Sequence, residues 1–283
     1  MSNKEYQNYI LNTLQYKKVF TQPMTINQII HYGHGEFKDL ALLHESIKDL
    51  IKDKKIKYKN GVYYLNQTKI KNFENRIKKS KELFEEIVFI KKYLSKIPFI
   101  KFVGVSGSLA SYNYEESSDD IDLFIICNEG RVWITRLITV LIFKLLNSYV
   151  NDENSTYKIC PNFYISSKHL TWKSEKRNIY VAHEIAMLQP LINKEDYYFK
   201  FLSANKWVKD FLPNFNFDES VETDNIKDST TFLDLIDNLL MDIQKKLMKN
   251  FSGFEILEKE KIHFLKIDHS VKILDSYHKK KIS

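Results

Sequence analysis

Residues 105–126 read VSGSLASYNYEESSDDIDLFII. The apolar run Ile100–Val105 leads into this stretch and Leu123–Ile126 closes it, which predicts two strands, with Gly107-Ser108 at the turn from the first strand into a short helix. Only seven of the 283 residues are glycine, far below the usual ~7 %, so a glycine retained at a turn marks backbone that needs conformational freedom. A Gly at such a turn lets phosphate oxygens approach the main chain, and the free amides of a helix start attract them. Ser108 adds a hydroxyl donor. Downstream, Asp120 and Asp122 flank Ile121, and because residues two apart on a strand share a face, the two carboxylates converge while Ile121 enters the core. Such a pair suits Mg²⁺ shared with substrate phosphates. Without a cation the two charges repel.

An apolar strand, Gly-Ser, a spacer of about ten residues and then Asp-apolar-Asp resembles the hallmark of the DNA polymerase β-like nucleotidyltransferase superfamily. The resemblance covers about residues 99–190. It implies transfer of a nucleoside monophosphate from a nucleoside triphosphate (NTP) to an acceptor, with release of pyrophosphate and two Mg²⁺ ions as cofactors. It further implies that Gly107 and Ser108 hold the triphosphate and that Asp120 and Asp122 bind metal as the catalytic carboxylates. Members of the family usually carry a third carboxylate on a later strand. Here the expected strand, Lys158–Ser166, offers Asn162, which can ligate a metal but is a poor base, and Glu184, beside His183, is the other candidate for that position. On a helix His183 and Glu184 point in different directions, so at most one faces the site. Arg131 and Arg136 have the geometry to bind triphosphate oxygens, or serve as helix surface charges, and Lys158 reads the same way. Asp119 reads as a capping or supporting residue. Trp133, Trp172 and Trp207 could stack a base, although large aromatics are more often core.

Working outward, residues 4–17, a helix from Thr25 through Ile30, and a helix over about 36–53 are followed by IKYKNGVYYL, two alternating strands around Asn60-Gly61, a strong hairpin signal. Three helices and a hairpin resemble a winged helix-turn-helix domain. Residues 1–67 are therefore expected to form that domain and 68–98 a linker helix ended by Pro98. Residues 99–190 are expected to hold the mixed sheet of the nucleotidyltransferase domain, with a helix over 131–150 and another over 178–191. Residues 191–283 are expected to be helical, with a polar, acid-rich loop over 213–229. The fold class is α+β.

Charge is uneven. Residues 1–99 hold 19 basic and 10 acidic side chains out of 43 and 36 in the whole chain, so the amino-terminal region is where a nucleic-acid or peptide partner is expected. The leading expectation is a Mg²⁺-dependent nucleotidyltransferase acting on an NTP and an unidentified acceptor. The alternative is a catalytically inactive nucleotide sensor that binds nucleic acid or peptide. Cys127 and Cys160 lie in apolar runs and read as core thiols of a reducing compartment, with no disulfide or metal spacing. The start lacks the apolar core of a signal peptide, and Leu137–Val150 is too short and too charged to span a bilayer. A cytoplasmic protein with no membrane contact is the expectation.

Overall fold

The computed structural model describes residues 1–70, 72–115, 119–150, 157–217, 232–248, 255–264 and 269–279. Most of the expected acid-rich loop, and Gly253, lie outside the described residues.

Three helices come first: α1 (Asn3–Val19), α2 (Ile26–His31) and α3 (Leu40–Lys52). Ser2 and Glu5 form a capping box on α1, Thr25 and Gln28 another on α2, and Asp39 caps α3 by accepting from Ala41 and Leu42. These caps satisfy amides that have no intrahelical partner. The hairpin β1 (Ile56–Lys59) and β2 (Val62–Leu65) pairs Lys59 with Val62 around Asn60 and Gly61, which have φ of 50° and 82°, the left-handed pair that a tight two-residue turn needs. Met24 exchanges two backbone hydrogen bonds with Tyr63, tying the start of α2 to the hairpin. Tyr6, Ile10, Leu14, Ile29, Leu43, Ile47 and Leu50 make this unit's own core.

After α4 (Phe73–Ile87) and α5 (Lys91–Leu94), the chain enters a six-stranded mixed sheet. Its members are β3 (Ile100–Val105), β4 (Ile121–Cys127), β5 (Ile159–Ser166), β6 (Gln189–Asn193), β7 (Ile256–Leu257) and β8 (Lys261–His263), in the order β6-β3-β4-β5-β8-β7. Among the described strands, only β4 and β5 pair in parallel, as the crossover through α7 (Val132–Leu145) requires. Alternation along β3 and β4 splits the core. Val103, Val105, Leu123 and Ile125 face Trp133 and Phe143 of α7 and Leu83 of α4. Phe102, Phe124 and Ile126 face α8 (Ile179–Ala186), α9 (Tyr197–Ala204) and α10 (Val208–Phe211). Two helices, α11 (Phe232–Leu247) and α12 (His269–Lys279), complete the described chain.

The α+β class holds, with two corrections. The helix expected over 178–191 stops at Ala186, and Gln189–Asn193 turns back as an edge strand on β3. Pro190 is tolerated there because an edge strand leaves one side without ladder partners. The carboxy-terminal region is not purely helical, since β7 and β8 extend the sheet beside β5. Their pairing of Tyr164 with Ile262 draws the distant segment into the same core.

Among the described residues, no helix is long and apolar enough to cross a membrane.

Candidate metal and nucleotide site

The end of β3, the starts of β4, β5 and β6, and the short helix α6 (Gly107–Ala110) meet at one edge of the sheet. Gly107 has φ +65°, and a Cβ built on it would lie 2.7 Å from Asp122 Oδ2. The position therefore strains any side chain by its backbone conformation, and a Cβ there would also oblige the Asp122 carboxyl to shift. The Ser106 amide donates to the Asp122 carbonyl at 3.0 Å, joining the turn to β4.

Ile121 is buried in the core as expected, and Asp120 and Asp122 turn together on the other face. One carboxylate oxygen of each and Cys160 Sγ lie within 4.8 Å of one another. Cys160 arrives there because it is the register partner of Asp122 in the parallel pair, and side-by-side residues share a face. Between Asp122 and Phe124 the partner strand advances from Cys160 to Phe163, one residue too many. This bulge accommodates Pro161 and re-aims the next side chain. Asn162 Nδ2 then donates to Asp122 Oδ1 at 3.0 Å, while Asn162 Oδ1 is buried with no hydrogen-bond partner.

Burial, then the charges of Asp120 and Glu184, push the Asp122 carboxyl well above the ordinary carboxylate range, and the Asn162 hydrogen bond opposes this only in part. Acids crowded without a compensating cation behave in this way. A buried carbonyl oxygen lacking a donor beside two convergent carboxylates is a donor set that a divalent cation satisfies. The residues present fit such an ion.

Of the neighbouring pair on α8, Glu184 is the one whose charge acts on Asp122. Burial raises its carboxyl to about 7, opposed by the cation of Lys17. Lys17, from the last turn of α1, is buried and depressed to about 8 by desolvation, with its Nζ 3.3 Å from Met187 Sδ. His183 is fully buried. It stacks on Tyr16 at 4.2 Å and 9°, and its Nε2 lies 3.1 Å from His34 Nε2, so it cements α1 to α8.

Both arginines are occupied elsewhere. Arg131 follows the far end of β4, where it pairs with Asp234 of α11. Arg136 is buried, donates to Gln244 of α11 and packs on the Phe264 ring. They dock α11 onto α7 and are not gathered with Asp120 and Asp122, which corrects the expectation that they bind triphosphate. Lys158 donates outward to the Asn147 carbonyl, and Asp119 accepts from the Glu115 amide at 2.8 Å as a turn residue. Trp133 and Trp207 are buried, and Trp172 stacks on Phe163 at 5.4 Å. Cys127 is a core thiol at the far end of β4, whereas Cys160 is half-buried at the site. Reading Cys160 as core missed it. The Cys-Pro-Asn sequence was the available signal, because proline inside a strand marks a bulge.

The amino-terminal unit is built onto this edge. Gln22 Nε2 donates to the Ser111 carbonyl at 2.5 Å and Asn113 Nδ2 to the Phe20 carbonyl at 3.2 Å. Asn214 bridges the Phe37 amide and the Gly35 carbonyl. A cavity of about 90 Å³ lies in the seam among Lys17, Gln22, Tyr32, Ser111 and Gln189. A larger one, about 270 Å³, opens between Thr25, Val62, Phe73, Ile77 and Tyr112. Asp120 and Asp122 line neither cavity; the first is bordered by Ala110 of α6 and Gln189 of β6.

Compared with protein-family models, curated proteins and solved structures, the chain matches none.

Proposed function

We propose that the chain is a Mg²⁺-dependent nucleotidyltransferase of the polymerase β-like kind. The observation that carries this reading is the convergence of Asp120 and Asp122 on one face of β4, against a left-handed Gly107 where an added Cβ would meet Asp122 Oδ2. Asp120 and Asp122 hold the divalent ions, with the Asn162 carbonyl oxygen as a further donor. When bound, Mg²⁺ supplies positive charge that neutralises the triphosphate and makes an acceptor hydroxyl more acidic.

The Gly107-Ser108 turn receives the triphosphate on main-chain amides and the Ser108 hydroxyl. The acceptor oxygen attacks the α-phosphorus, the bond to the β-phosphate bridging oxygen breaks, and pyrophosphate leaves. Glu184 takes the acceptor proton. A carboxylate with a pKa of about 7 is matched to that task near neutrality, and Lys17 keeps it from being pushed higher. Glu184 thus stands in for the acid that Asn162 replaces.

The amino-terminal helices and hairpin are read as a winged helix. Its hairpin exposes Lys57, Tyr58 and Lys59, a cationic edge suited to nucleic acid or an acidic peptide.

The test is incubation with Mg²⁺, α-labelled triphosphates and candidate acceptors. Label transfer abolished by Asp120→Ala and by Asp122→Ala supports the assignment. Transfer that persists in both variants overturns it, and triphosphate binding without pyrophosphate release establishes the nucleotide-sensing reading instead.

A further inference from the structure

The donor set at the metal edge is not all oxygen. An ion of the Mg²⁺ type takes oxygen ligands and keeps much of its water, whereas a thiolate is a soft ligand that selects zinc-class ions. Cys160 is carried into the site by register rather than by a flexible loop, since it sits opposite Asp122 on the parallel neighbour strand. Its Sγ and the two carboxylate oxygens lie within 4.8 Å of one another. A tetrahedral ion with bonds of about 2.0 Å to oxygen and about 2.3 Å to sulfur separates its ligands by roughly 3.5 Å. The buried Asn162 Oδ1 supplies a second, independent sign of a missing electropositive partner, because it is a carbonyl oxygen with no donor next to the same carboxylates.

We propose that Cys160 makes this edge a site for a thiophilic divalent ion of the Zn²⁺ class, held by Asp120, Asp122 and Cys160 in competition with Mg²⁺. On binding, the Cys160 thiol gives its proton to solvent as the sulfur–metal bond forms. The inference rests on the two-carboxylate metal site of the proposed function and adds a regulator to it: a zinc-class ion seated on the thiolate withholds Asp120 and Asp122 from catalysis.

The probe is Co²⁺, whose bond to a thiolate absorbs intensely through charge transfer from sulfur. Reduced full-length protein titrated with Co²⁺ shows that band, Cys160→Ser lacks it, and Cys127→Ala, altered at the far end of β4, keeps it. Zn²⁺ displaces Co²⁺. Cys160→Ser lowers Zn²⁺ affinity by at least the ~10–100-fold that loss of an outer-shell partner costs. Mg²⁺ affinity, to which sulfur contributes nothing, changes by less than about twofold. No charge-transfer band in the wild-type protein, or a band that survives in Cys160→Ser, overturns the inference. The two readings fail separately. Absence of the band while Asp122→Ala abolishes label transfer removes the zinc-class site alone. A Cys160-dependent band alongside label transfer that persists in Asp120→Ala and Asp122→Ala removes the transferase assignment alone.

Discussion

Replacing Gly107 by alanine tests whether the turn is shaped around Asp122. Two costs follow from the structure, and a second glycine separates them. At φ +65° an alanine pays the left-handed penalty of about 1–2 kcal/mol. Its Cβ also falls 2.7 Å from Asp122 Oδ2, so the carboxyl must shift and disturb the hydrogen bond that its Oδ1 accepts from Asn162, worth about 0.5–1.5 kcal/mol. Gly61 has φ +82° with nothing within 4 Å of a built Cβ, so Gly61→Ala pays the backbone cost alone. Gly107→Ala should therefore be destabilised by roughly 1 kcal/mol more than Gly61→Ala. Urea unfolding of the two variants measures this, as a larger drop in midpoint with an unchanged slope. In parallel, Mg²⁺ titration should weaken for Gly107→Ala and stay at the wild-type value for Gly61→Ala. Equal midpoints, or equal Mg²⁺ affinity, would refute the claim that the glycine exists to clear the carboxylate.

Three further outcomes follow. Arg131→Met breaks the ion pair that ties α7 to Asp234 and should cost about 2–3 kcal/mol with nucleotide affinity within twofold of wild type, measured by unfolding and by equilibrium binding; a tenfold loss of affinity would return Arg131 to the site. Because the Glu184 carboxyl is raised from 4.5 to about 7 in the folded protein, the unfolded chain binds fewer protons between those values, so stability falls as pH rises through that window, by up to ~3 kcal/mol. Glu184→Gln should flatten that fall in a pH series of unfolding midpoints and remove the limb of label transfer that rises through pH 7; a wild-type slope in the variant contradicts the raised carboxyl. Lys17 is shifted the opposite way, from 10.5 to about 8, so its burial costs stability below pH 8 and that cost is relieved as pH rises toward 10.5. Lys17→Met should abolish this relief and shift the Glu184-dependent limb of the activity profile to higher pH, and an unmoved limb would separate the two groups.

The site was legible where chemistry is local in sequence. Gly107, Asp120, Ile121 and Asp122 lie within sixteen residues, and the two-residue period of a strand alone assigns them to faces. The hairpin was legible for the same reason, since Asn60-Gly61 determines the turn without help from the rest of the fold. What could not be read depends on pairing between distant segments. Gln189–Asn193 continues an apolar pattern that also suits a helix, and its state is decided by ladder bonds to β3, some ninety residues earlier. Lys261–His263 is three residues long and becomes a strand only against β5. The arginines illustrate the converse. Guanidinium groups suit phosphate, but Asp234 and Gln244, about a hundred residues away, claim them first, and no local pattern announces such a partner. Cys160 combines both cases, since its apolar flanks are real yet a bulge two residues later belongs to the tertiary register.

The amino-terminal unit has its own core, which would suit a tethered binding module. Its polar contacts argue for a closer role. Buried ionisable groups are expensive unless they answer one another, and here the answering groups come from different parts of the chain: Lys17 of α1 lowers Glu184 of α8, while His34 before α3 meets His183 of the same helix. Two adjacent residues of α8 thus both meet the amino-terminal unit, Glu184 through Lys17 and His183 through Tyr16 and His34, and Glu184 also acts on Asp122. A movement of α1 against α8 would alter both the charge that sets the Glu184 proton and the stack that holds its neighbour. Through that helix, a displacement of the amino-terminal unit has a direct physical route to the Glu184 carboxyl.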